Sequence, residues 1–142
     1  MAAGIGRDSF FSIDNLAGTV TDITPQLTNI EFSTDKGVPD VTTMGFNYRN
    51  YLAGIADSKL KLEGIHDPAS STTAGSLLFN LAHGTATQTA SWVYAPQGTA
   101  AGKQKISGET FVISVSLPSG MDDAVTFSAD CQNSGTVTFA TY

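Results

Sequence analysis

The sequence is poorest in the residues that build catalytic and metal centres. Cys131 is the only cysteine, which excludes an internal disulfide. Its place in the series Val125, Phe127, Ala129, Cys131 predicts a buried, inert thiol. His66 and His83 are the only histidines, and with no second His or Cys at ligand spacing neither a zinc site nor any other cofactor is expected. Basic residues number 7 against 13 acidic ones, a net charge of −6, so the molecule as a whole repels phosphate backbones and conventional nucleic-acid binding is disfavoured. No apolar run approaches the roughly 20 residues of a membrane span. The opening MAAGIGRDSFFSIDN has no basic leader, so neither a signal peptide nor direct membrane insertion is expected, and synthesis in a cytoplasm is.

Enzyme motifs are missing too. Neither Gly-x-Ser-x-Gly nor a Gly-rich loop followed by Lys and Ser/Thr occurs. Asp122-Asp123 is the best acidic pair, but it follows Gly120 at a turn and lacks the spaced oxygen ligands of a calcium loop, which makes it a solvated hairpin tip. No residue is assigned a catalytic role, and the chain is not expected to be an enzyme.

What the chain does hold is Ser, Thr and Gly in place of charge: charged residues are 14% and hydrophobic ones 41% of 142 residues. β-Branched Thr suits a pleated surface and Gly the turns between strands, so a single, mainly β domain over 1–142 is expected. Phe10–Ile13 reads as a short strand after a Gly-rich arm at 1–8, and Thr19–Pro25 as a turn or one helical turn. Leu27–Thr34 alternates, with Thr28, Ile30 and Phe32 on one face and Asn29, Glu31 and Ser33 on the other; Lys59–Glu63 does the same. Asp35–Pro39 is turn chemistry leading to an extended Asp40–Met44, so Leu27–Thr34 and Asp40–Met44 are expected to form a hairpin whose tip projects from the body. Later strands are expected at Thr89–Tyr94, Gly108–Leu117, Ala124–Gln132 and Thr136–Tyr142, the last two separated by the turn signal Asn133-Ser134-Gly135. Only Ala74, Leu77, Leu78, Leu81 and Ala82 have helical spacing, after N-cap candidates at 70–73 and before Gly84. About eight short strands and one flanking helix describe a β-sandwich or partly closed barrel.

The long loop at 35–57 is the most telling segment, because it carries Phe46, Tyr48, Arg49 and Tyr51. Aromatics around an arginine are the composition of contact centres, and a lone protein would lose solubility by exposing them. Folding back over one open end of the sandwich is the other use of such a loop. Trp92 and Tyr94 read as core or subunit contact in preference to a stacking platform for bases or sugars.

In order, RDSFFSIDN, LAGTVTDITPQLTNIEFS, DVTTMGFNYRNYLAGIADSKLKLEGIHD and the closing DDAVTFSADCQNSGTVTFATY resemble the tail tube, or major tail, proteins of siphovirus-type bacteriophages. The resemblance covers most of the chain and lies in the joint order of loose patterns, with Met44 where an aromatic often precedes the Gly. It implies a β-sandwich or barrel with one helix, six to a ring, in rings stacked into a hollow tube of a virion tail. An inward sheet from each subunit would join its neighbours around the lumen, with the 35–57 loop and terminal arms bridging rings and subunits. Partners would be the chain itself and other tail proteins such as the tape measure, tail tip and tail terminator, while DNA passes without specific binding. On that basis Asn29, Glu31, Ser33 and Glu63 are expected to line the lumen, with Lys59 and Lys61 paired to acids of a neighbour. The rival reading is a monomeric or fibre-borne β-sandwich binding module, such as a capsid decoration or adhesion domain.

Overall fold

In the computed structural model, which describes residues 6–15, 18–66, 74–83 and 89–142, seven strands form one antiparallel sheet. They are β1 (Phe10–Asp14), β2 (Val20–Asp22), β3 (Leu27–Lys36), β4 (Ala56–Ile65), β5 (Ala90–Ala95), β6 (Gln104–Ser116) and β7 (Thr126–Thr141), with helix α1 (Ala74–Ala82) between β4 and β5. The order across the sheet is β2-β1-β5-β6-β7-β4-β3. The two edge strands, β2 and β3, are therefore consecutive in the chain, joined only through a 3-10 turn at Thr24–Gln26. So short a link cannot span a flat sheet of seven strands at about 4.8 Å spacing. The sheet must curl until its edges approach.

The curl is built into β6 and β7, which are long enough to serve both layers. Their upper halves pair from Gln104 opposite Thr141 to Ser107 opposite Thr138, and β5 continues that layer. A register shift follows, and from Glu109 opposite Ser134 onward the lower halves join β4 and β3. Gly135 sits at the bend with φ +78°, a conformation that costs glycine little, so the chain turns a corner and continues as one strand. The expected Asn133–Gly135 turn between two separate strands is thus a bend inside β7. This merger, and the absence of a strand at 40–44, reduce the expected count, while β2 is an addition inside the expected turn at 19–25.

Inside the curl, Phe11 and Trp92 stack at 6.3 Å, and Phe32 from the far edge reaches Trp92 at 5.8 Å and Phe139 at 6.1 Å. Such contacts between strands several places apart show that one sheet encloses a core like a sandwich, although it is not closed into a barrel by hydrogen bonds. Leu60, Leu62, Phe127, Ala129 and Cys131 point inward from the alternating strands, and Leu77, Leu78 and Leu81 of α1 complete the same cluster. The leucine stripe is the one expected from sequence; the cap candidates at 70–73 and Gly84 lie outside the described residues, as does most of the arm at 1–8.

Candidate assembly surfaces

The alternation that sends Leu60 and Leu62 inward sends Lys59, Lys61 and Glu63 to the opposite face of β4. Directly across on β3 stand Ser33, Glu31 and Asn29, and directly across on β7 stand Gln132, Asp130 and Ser128. Cross-strand partners share a face, so the four residues expected to line a lumen lie together on one polar surface. Asp35 and Asp57, opposite each other, extend it. Five carboxylates (Glu31, Asp35, Asp57, Glu63, Asp130) against two lysines leave three net negative charges there. Lys61 pairs within the chain, 3.6 Å from Glu63, and lies between Glu31 and Asp130 in register, so for Lys61 a neighbour's acid is not required. A shallow groove of about 380 Å³ follows this face between Glu31, Lys61 and Asp130, with Ile113 at its side.

Asp130 belongs to this surface but was not singled out from sequence. The signal was available: Ser128, Asp130 and Gln132 are the polar complement of the apolar series that placed Cys131. Gln132 also ties β7 to the start of β4, its Nε2 donating to Asp57 Oδ1 at 2.6 Å while Asn133 Nδ2 donates to Ser58 Oγ at 3.0 Å.

Between β3 and β4, residues 37–55 form a hairpin arm and do not fold back over the core. Rungs run from Gly54 N–H to Gly37 O (2.6 Å), through Leu52 N–H to Pro39 O (3.0 Å), to Val41 N–H and Asn50 O (2.9 Å), and Asp40 bridges Tyr51. The reversal lies at Thr43–Phe46, where Phe46 N–H reaches Thr43 O, and not at the Asp35–Pro39 turn chemistry, whose residues continue the hairpin. Asp40 is the arm's organiser: hydrogen bonds from Thr42, side chain and then N–H, lower its pKa, and Arg49 sits 3.3 Å away. Phe46, Tyr48 and Tyr51 are exposed, as are Val38, Val41, Met44, Leu52 and Ile55. Eight large apolar side chains on a projecting hairpin exceed what isolated soluble proteins display.

Two further edges are open among the described residues. The outer side of β3 has no strand partner among the described residues. Likewise, β5 pairs with β6 only up to Ala90 opposite Thr110, which among the described residues leaves Phe111–Ser116 paired on the β7 side alone. At ten residues β3 is a long edge to leave uncovered, while β2 at three is short enough to be harmless.

Among the described residues no group of three His, Cys, Asp or Glu is placed to hold a metal ion. His83 is exposed and stacked on Phe79 at 5.6 Å, and His66 donates its backbone N–H to Val125 O. Burial, followed by the nearby Asp130, pushes the Cys131 thiol up to about 12, as suits an inert core residue. Trp92 is 1% exposed, so it belongs to the core and offers no stacking platform. No described helix is long and apolar enough to cross a membrane.

No protein-family model and no curated protein matches the chain in sequence. Solved structures do match in fold. A chain from the tail of an empty gene transfer agent particle, refined helically with C6 symmetry, superposes with a TM-score of 0.77 at 15% identity, covering 97% of this chain and 99% of that one. A chain of the SPP1 tail tube gives 0.77 at 13% identity, covering 99% and 80%. A chain of the sheath–tube complex of an extracellular contractile injection system gives 0.73 at 10% identity, covering 99% and 93%. The chain has the tail-tube fold.

Proposed function

We propose that the chain is the structural subunit of a bacteriophage tail tube, assembling into rings that stack into a hollow conduit for viral DNA. The observation that carries this reading is the acidic four-strand face bounded by two open edges. Along β3, β4, β7 and β6 each neighbouring pair is antiparallel, so β3 and the lower half of β6 run in opposite senses. Placing β3 of one copy beside Phe111–Ser116 of the next therefore extends the sheet antiparallel without end, and a rotation closes it. Six copies, the symmetry of the gene transfer agent tail, would bring roughly 24 strands; at about 4.8 Å spacing and about 40° tilt the barrel is about 48 Å across. Closure removes the long exposed edges that otherwise invite uncontrolled pairing.

With the polar face turned inward, such a ring carries roughly 18 net negative charges, which keep the polymer hydrated and off the wall. Tape measure, tail tip and tail terminator are the further partners this role requires. A non-contractile, siphovirus-type tail is supported by the sequence resemblance; the fold itself is shared with a contractile assembly. The rival binding module loses its stacking platform with the burial of Trp92. Electron microscopy of the concentrated protein separates the two: rings or tubes of uniform bore are expected, and a stable monomer at every concentration, with glycan binding, would establish the rival.

A further inference from the structure

The hairpin arm leaves the sheet at the Lys36 and Ala56 end of β3 and β4. At the other end of the same strands Ile65 pairs with Thr126, and the β6–β7 connection packs beside it, His66 N–H donating to Val125 O and Thr126 N–H to Pro118 O. This lower rim has its own uncovered apolar side chains: Ile65, Leu117, Val125 and a fully exposed Met121. Arm and rim thus stand at opposite ends of one set of strands, apolar both, and neither is covered by the described chain. Surfaces of that kind on opposite ends of a subunit make a heterologous, head-to-tail contact that propagates along the strand direction.

Charge supports the same pairing. The arm's only cation is Arg49, largely exposed although it touches Asp40, and the only charges of the rim's 117–125 segment are Asp122 and Asp123. We infer that the arm of each subunit docks on the lower rim of a copy in the adjacent ring, Met44 and Phe46 against Met121 and its apolar neighbours, with Arg49 facing Asp122 and Asp123. The inference rests on the tube reading and adds the receiving surface. The Met-rich contact is forgiving in shape, so the charges fix register and direction.

Two experiments test it. Arg49→Glu raises the concentration needed for tube growth about tenfold, as does Asp122→Lys with Asp123→Lys, and joining the three changes restores growth toward wild type. Independently, Met44→Cys combined with Met121→Cys alters two fully exposed positions and leaves the fold intact. A short bis-maleimide added to assembled tubes then yields a ladder of covalent multimers, to which the buried Cys131 does not contribute. Intact tubes with no ladder would overturn the rim as the receiving surface while leaving the tube reading standing. Failure of the wild-type chain to form rings or tubes would remove both.

Discussion

Replacing Glu31 and Glu63 with lysine changes the polar face from three net negative charges to one net positive charge per subunit, and a six-membered ring from roughly −18 to roughly +6. The fold tolerates this. The Lys61–Glu63 pair that is lost is about half exposed and worth about 0.2–1 kcal/mol. Lys61 then gains two like-charged neighbours, each costing about as much again. A total of about 1–3 kcal/mol stands against a domain stability of about 5–15 kcal/mol. Purified tubes of the variant, mixed with short duplex DNA, are expected to retain it at about 50 mM salt and to release it steeply by about 200 mM, the signature of counterion release. Wild-type tubes retain none at either concentration, and variant virions eject DNA more slowly. Variant tubes that assemble normally yet neither hold DNA nor slow ejection would refute the placement of this face on the lumen.

Other consequences are simpler to measure. Alanine at Tyr48, Arg49 and Tyr51 together leaves a folded subunit, by circular dichroism, that no longer polymerises. A Cβ at Gly54 would lie 2.6 Å from Gly37 O, so Gly54→Val opens the base of the arm and impairs assembly, while the melting temperature of the subunit moves little because the arm lies outside the core. Leu62→Ala, at a fully buried site, costs about 2–5 kcal/mol and lowers the melting temperature by about 6–15 °C. The Cys131 thiol, with its pKa near 12, stays unreactive to maleimide at pH 8 until denaturant is added. Since its pKa is raised in the folded state, the unfolded chain ionises first, and stability falls as pH climbs from about 9 toward 12.

Much of the polar face was legible in the sequence because alternation in Leu27–Thr34 and Lys59–Glu63 fixes which side chains share a side once one face is buried. The register that sets Glu31 against Lys61, and β7 against β4, depends on how the sheet curls, and no local pattern encodes that. The arm's composition announced exposure and contact. A projecting hairpin was announced as well, but with its reversal at Asp35–Pro39, which reads locally as a turn; cross-strand rungs from Gly37 to Asn50 carry the pairing past it to a reversal at Thr43–Phe46. Asn133-Ser134-Gly135 likewise has turn chemistry, yet pairing with β6 on both sides of Gly135 carries the strand through it. The open lower edge of β6 follows only from β5 ending opposite Thr110.

The central claim is that this sheet is completed by copies of itself with its acidic face inward. A cryo-electron microscopy reconstruction of the assembled protein tests it most directly. The account predicts β3 of each subunit hydrogen-bonded antiparallel to Phe111–Ser116 of its neighbour, with Glu31, Glu63 and Asp130 facing a continuous bore. Subunits that meet through other surfaces, leaving β3 unpaired or turning those carboxylates to the outside, would contradict it.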